Sequence, residues 1–255
     1  MEWYLYPLVI AAGFLAGFIN TFAGSGSLIT LPMLIFLGLP ANIANGTNRI
    51  AIIMQNAVAV GSFGQQKILD TKRGLILAIP AVLGALVGAQ IAVNLDEQAM
   101  RRVIGALMLV MLVIVLARPK RWLEGRPERL ADRPGWMQML IFFAIGVHGG
   151  FIQAGVGIFL LAGLVLCAGY ELVRANAVKL LIVLCFTPIA LGIFIYHGQV
   201  QWYAGLIMGL GNMAGAWVAS RMAVKRGAVF ARWVLVAVLL IAGAALLGLK
   251  DLVGI

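Results

Sequence analysis

At two kinds of place in this sequence, polar or conformationally loose residues stand among apolar neighbours. The first is a glycine-rich interruption, Ala23-Gly-Ser-Gly-Ser27 and later Ala154-Gly-Val-Gly157, each followed by an apolar run that predicts a new short helix. A helix start presents unpaired N–H groups and the positive end of its dipole, so two such starts converging from opposite sides would favour an anion. Gly24, Ser25, Gly26, Gly155 and Gly157 are therefore candidate contacts. Asn20 and Gln153, just before the breaks, could hydrogen-bond an oxyanion or satisfy freed backbone. The second kind is the opening of the next apolar stretch, Asn45-Gly-Thr-Asn-Arg49 and Asn176-Ala-Val-Lys179. Asn45, Thr47, Asn48, Arg49, Asn176 and Lys179 are costly there unless they face a cavity or a partner. The competing reading makes the asparagines N-caps and lets the cations snorkel to the surface. Gly84-Ala-Leu-Val-Gly88, with GxxxG spacing, reads as close helix packing.

The titratable residues narrow the chemistry. All nine Asp and Glu fall at termini, in connections or in one polar linker, which disfavours a carboxylate relay for Na⁺ or protons. His148, beside the second break, and His197 are the near-neutral candidates, and His148 is either a proton carrier or a hydrogen-bonded packing residue. Cys167 and Cys185 lie in apolar segments without a ligand set around them, so neither a metal site nor a disulfide is expected. An enzyme would need a nucleophile with its base, or a metal cluster, and the scattered residues supply neither. No catalytic residue, metal or cofactor is assigned.

These residues need elements to hold them, and composition says which. The chain is 63% hydrophobic and 11% charged, far from an ordinary soluble domain, so the solvent for its outer faces is hydrocarbon. Apolar runs such as Val103–Leu116 do not alternate as barrel strands would, and the predicted class is an all-α polytopic membrane protein. The net charge of +10 sits mostly in short connections, the pattern of cytoplasmic anchoring and not of nucleic-acid binding.

Sliding the sequence along itself gives one register, an offset of 131, that superposes Ala23–Gly26 on Ala154–Gly157, Gly38 on Gly169, Asn45 on Asn176 and Gly84-Ala85 on Gly215-Ala216. Two extra residues near Thr21 and Phe22 shift Gly17–Asn20 onto Gly150–Gln153. A register kept over about 70 residues marks an internal repeat. The predicted organisation is a first repeat over 1–117, a basic linker over 118–135 and a second repeat over 136–255, about eight spanning helices with short glycine-broken or re-entrant ones. Each half opens with an interrupted segment (Trp3–Leu39; Met137–Ala168). Three spans follow: Asn45–Phe63, Gly74–Val93 and Met100–Ala117, then Asn176–Tyr196, Trp202–Val224 and Phe230–Leu249. Lys67, Lys72 and Arg73 make one connection basic in the first half, whereas its equivalent, His197–Gln201, has no formal charge and the next carries Lys225, Arg226 and Arg232. The positive-inside rule then inverts the two copies, with the linker cytoplasmic and both termini outside. This bookkeeping requires each interrupted segment to return to its starting side as a hairpin.

Gly17–Arg49, with its glycine-rich break, Pro32, Gly38-Leu-Pro40 and Ala44-Asn-Gly-Thr-Asn48, resembles the sulfite exporter TauE/SafE family. Gly149-Gly150, Gly155-Val-Gly157, Ala175-Asn176 and Lys179 are similar to the family's second copy, so the likeness covers nearly the whole chain. The resemblance implies a multi-pass permease of the bacterial inner membrane that moves sulfite, sulfoacetate or a related organosulfonate. Val156 in place of a counterpart to Ser25, and a break lean in glycine, leave the anion open. The expected partners are a small anionic substrate and the lipid bilayer, no nucleic acid, with a homo-oligomer left open. Export of an anion from a negative interior is downhill by about 2.3 kcal/mol per charge for each 100 mV, which favours an alternating-access exporter. The alternative is a proton-coupled uptake permease for a sulfonate or another small anionic metabolite.

Overall fold

A computed structural model describes residues 5–116 and 134–223. The expected linker residues 118–133, the basic cluster Lys225, Arg226 and Arg232, the span at 230–249 and both termini lie outside the described residues. Among the described residues every regular element is a helix. They run α1 (Leu5–Ala23), α2 (Ser27–Phe36), α3 (Ala41–Gln65), α4 (Thr71–Val93), α5 (Glu97–Leu116), α6 (Trp136–Phe151), α7 (Val156–Ala162) with one π turn (Gly163–Cys167), α8 (Leu172–Tyr196), and α9 over 202–223.

Lengths sort these helices. At 1.5 Å per residue the 23 residues of α4 and the 25 of α8 reach about 35 Å, beyond the roughly 30 Å of a bilayer's hydrocarbon core, and both are apolar enough to cross it. The 10 residues of α2 and the seven of α7 reach only about 15 Å and 10 Å. α1 and α2, and likewise α6 and α7, are therefore pairs of unequal helices that meet at a break. Gly26, at the start of α2, packs on the Ala16 carbonyl of α1, while Leu34 near its end shares a core cluster with Val9 of α1 and Ala44 of α3. Helix α2 thus folds back along α1, as the hairpin expectation requires.

Small residues let the long helices approach backbone to backbone. Gly84 and Gly88 of α4 face the carbonyls of Phe143 and Val147 in α6, whose own Gly146 and Gly150 face Ala81 and Ala85. Gly211 and Gly215 of α9 face Ile10 and Phe14 of α1, whose Gly13 and Gly17 face Met208 and Asn212. Gly84–Gly88 is thus a packing seam. Both seams join an early helix of one half to a helix of the other.

The spacing of 131 recurs in the element bounds. Helices α3 and α8 are each 25 residues long and start at Ala41 and Leu172; α4 and α9 start at 71 and 202. Left-handed backbone falls at Gly24 and Gly155, Gly38 and Gly169, and Lys67 and Gly198. Gly46, near the start of α3, lies against Phe194 and Gln199 at the far end of α8, so these helices run antiparallel. Connections from the two halves meet at the ends of the bundle. At one end the buried Tyr170 donates to Asp70 (3.0 Å), which also caps α4 by accepting from the Arg73 amide (3.2 Å). Burial and the neighbouring carboxylate push the Tyr170 phenol's pKa up. At the other end Gln199 donates to the Val93 carbonyl (3.0 Å) and the Gln201 amide donates to Thr47 (2.9 Å).

A methyl group on Gly24 would press into the backbone of Gly157 at a positive φ, whereas one on Gly61 meets open space. Gly24→Ala should therefore destabilise the purified protein by about 1–3 kcal/mol, and Gly61→Ala should leave it unchanged or up to about 1 kcal/mol more stable. Thermal unfolding in detergent checks this, and equal midpoints for the two variants would contradict the close approach of the breaks.

Candidate functional site

The two breaks meet each other inside the bundle. Helix α1 stops at Ala23, where Gly24 turns left-handed (φ 74°) and its amide still donates to the Asn20 carbonyl (2.8 Å). Helix α6 stops at Phe151, Ile152 is extended, and Gly155 turns left-handed (φ 75°) before α7. His148 staples this second break through Nε2 to the Ala154 carbonyl (3.0 Å), with its ring edge-on to Phe159. Gly24 and Gly157 touch through their backbones, so only residues without a β-carbon let the breaks come together.

A helix that ends inside a protein leaves its last carbonyls without helical partners and carries partial negative charge there. Here each such end is met by a cation from the other half. Arg49 of α3 donates to the carbonyls of Gly149 (3.2 Å) and Gly150 (2.5 Å) in the last turn of α6, and Asn45 donates to that of Phe151 (2.8 Å). Its guanidinium also lies 4.5 Å from the centre of the Phe194 ring. Lys179 of α8 donates to the carbonyls of Asn20 (2.8 Å) and Thr21 (3.3 Å) in the last turn of α1, and to Asn176 Oδ1 (2.9 Å).

These contacts overturn the N-cap and snorkelling readings. Asn45 and Asn176 lie five residues into helices whose caps are Pro40 and Glu171. Arg49 is 0% exposed and Lys179 1%. Hydrogen bonds to charged groups contribute about 1.5–3 kcal/mol each, enough to offset part of the desolvation of a buried cation.

Beside the breaks is a hollow of about 10 Å³, space for about one water molecule. Asn20, Ser27, Gln153, Gly157 and Lys179 border it, with Ile52 and Val183 among its apolar walls. Ser27 accepts from Asn48 Nδ2 (3.2 Å), which leaves the serine proton for another acceptor, and Asn48 is fixed in turn by Thr30 (2.6 Å). Asn20 donates to Gln55 (3.1 Å), which donates to Asn56 (3.1 Å). Gln153 donates to Thr187 (2.7 Å). What this border offers a ligand is the charge of Lys179 and the uncommitted proton of Ser27.

The expected site residues therefore divide by task. Asn20, Gln153, Gly157 and Lys179 border the hollow; Gly24, Ser25, Gly26 and Gly155 shape the breaks; Asn45, Arg49 and Asn176 hold helix ends or the cation that does. Asn48 positions Ser27, His148 spans the second break, and Thr47 is occupied at the 197–201 connection. Sequence reasoning passed over Ser27, Gln55, Asn56 and Thr187. Their signal was present: each is a polar residue beside or within an apolar run and is buried here.

Residues 9–246 match the family model described as sulfite exporter TauE/SafE. The chain is 28% identical over 228 residues to a "probable membrane transporter protein", ORF9, of a Sinorhizobium species, covering 89% of this chain and 87% of that one. It is 28% identical over 246 residues to the "probable membrane transporter protein" YfcA of Escherichia coli K12 (94% and 90% covered). A "probable membrane transporter protein" of Haemophilus influenzae is 26% identical over 223 residues (88% and 87%). No solved structure matches the chain.

If Arg49 holds the end of α6, Arg49→Gln should lower stability by about 2–4 kcal/mol, since carbonyls lose charged donors and gain no water. Thermal unfolding in detergent measures this, and a wild-type midpoint would contradict the capping role.

Proposed function

The chain belongs to the sulfite exporter TauE/SafE family of membrane transporters, and we propose that it carries small sulfur oxyanions, sulfite or a short organosulfonate, out of the cell by alternating access. The observation that carries this reading is Lys179, a buried cation bordering a hollow where two broken helices meet. The Ser27 hydroxyl and the Lys179 ammonium, at the positive end of α2, supply a donor and positive charge for one small anion.

The architecture behind it is a pair of repeats of opposite orientation. The recurring spacing of 131, the antiparallel run of α3 and α8, and the crossed capping of α1 by Lys179 and α6 by Arg49 all support it. With Lys67, Lys72 and Arg73 on the cytoplasmic side, the positive-inside rule puts Asp70 and Tyr170 there, the 197–201 connection opposite, and both termini outside a bacterial inner membrane.

In the state described, the oxygens of Asn20, Thr21 and Asn176 surround the ammonium and the hollow is too small for a sulfur oxyanion. Binding would exchange the longest of those contacts, the Thr21 carbonyl at 3.3 Å, for an anion oxygen. That exchange loosens the end of α1 from α8, giving the two repeats a reason to move when substrate enters. Arg49, committed to α6 and Phe194, stays as a fixed attachment. His148 is engaged with a carbonyl across its own break, which favours export down the membrane potential over proton-coupled uptake.

Proteoliposomes loaded with sulfite should release it through the wild-type protein, and Lys179→Gln should slow release by about tenfold or more, a loss of roughly 1.4 kcal/mol of anion interaction. Thr47→Val, at a residue turned to the far connection, should keep the wild-type rate. Equal release by the wild type and Lys179→Gln would remove Lys179 from the site.

A further inference from the structure

We infer that the anion held at this site carries a hydrogen-bond donor of its own, which Gln153 Oε1 accepts. The inference rests on the reading of the hollow as the substrate site. It starts from Thr187, a fully buried hydroxyl on α8 that gives its single proton to the Val183 carbonyl at 2.6 Å. Towards Gln153 it can then only accept, so the glutamine must present its Nε2, and does so at 2.7 Å. This fixes which way the amide points. Its oxygen is left without a partner, on a side chain 2% exposed that borders the hollow with Ser27 and Lys179.

Among the described residues no donor reaches that oxygen. Asn20, the glutamine's counterpart in the first half, spends its amide on Gln55 while its Oδ1 takes the Gly26 amide (3.4 Å). His148 is turned to Ala154, and Arg49 to the end of α6. A buried carbonyl oxygen with no partner is a cost that a site tolerates when its ligand supplies the missing group. An anion made only of acceptors would satisfy Lys179 and Ser27 but leave Gln153 orphaned. One with an O–H satisfies all three. A single cation borders the hollow, which matches a single negative charge. The class is a singly charged sulfur oxyanion bearing one hydroxyl, either on sulfur, as in hydrogen sulfite, or on a short tail, as in a hydroxyalkyl sulfonate.

Isethionate and propane-1-sulfonate test this, because both are permanently singly charged and differ by a hydroxyl in place of a methyl group. Calorimetric titration of the full-length protein in lipid nanodiscs should give isethionate about tenfold tighter binding, and Gln153→Met should bring the two within about twofold. Gln153→Leu, which removes the same acceptor with a different side-chain shape, should level them as well and serves if Gln153→Met does not fold. Hydrogen sulfite, titrated as competitor at a pH where it carries one charge, separates the two sources of the hydroxyl. Displacement of isethionate that weakens in Gln153→Met places the hydroxyl on sulfur; no displacement places it on a tail. Equal affinities of the two sulfonates for the wild type would overturn the inference. If that equal binding still vanished in Lys179→Gln, the anion site would stand without it. Binding of both sulfonates unchanged by Lys179→Gln would remove the site itself.

Discussion

A helix that stops inside hydrocarbon must have its last carbonyls and the next helix's first amides answered by the protein, because no water reaches them. This chain stops two helices in that way, α1 at Ala23 and α6 at Phe151, and answers both C-terminal ends with cations. The choice of cations follows from the helix dipole, which makes those ends negative. A neutral donor could satisfy a carbonyl, but only a charge also balances the end of the dipole. The result is a core with two positive side chains beside a meeting of helix starts. An electrostatic demand made by the fold thereby places positive charge beside the breaks.

The same contacts tie the two halves together. Each cation comes from one half and holds a helix of the other, and the glycine seams of α4 on α6 and α9 on α1 cross between the halves in the same sense. The two attachments differ in how firmly they are made. Arg49 has carbonyls at 2.5 and 3.2 Å and an aromatic face at 4.5 Å, away from the hollow. Lys179 borders the hollow and reaches one of its carbonyls at 3.3 Å. The looser of the two is the one at the hollow, so on the proposed function α1 is the helix whose hold would depend on the substrate.

Much of this was legible in the residues. Both breaks fall at the glycine stretches, Gly24–Gly26 between α1 and α2 and 152–155 between α6 and α7, with Val156 and Gly157 of the expected stretch opening α7, and the expected spans lie within four residues of α3, α4, α5, α8 and α9 at the ends described. Glycine and length carry that information locally. The roles of the polar residues did not show, because they depend on what lies across the bundle: Arg49 finds its carbonyls 100 residues away and Lys179 some 159. Asn45 and Asn176 look like caps in sequence since the helix openings before them, Ala41–Ala44 and Leu172–Ala175, are hard to tell from connection. Ser27 and Thr187 escaped notice for a different reason. A hydroxyl is common in apolar helices, where it bonds its own backbone, as Thr187 does, and only the second bond to Gln153 marks it.

The central claim is that two interrupted helices meet in the interior and that Lys179, bound to the end of one of them, is the group an anion displaces. A cryo-electron microscopy map in lipid nanodiscs, recorded with a selenium oxyanion as a strongly scattering substitute for the sulfur one, tests it directly. The account predicts both glycine stretches unwound and anion density between Lys179 Nζ, Ser27 and Gln153, with the ammonium drawn off the Thr21 carbonyl. Continuous helices through Gly24 and Gly155, or anion density away from Lys179 with its carbonyl contacts unchanged, would contradict it.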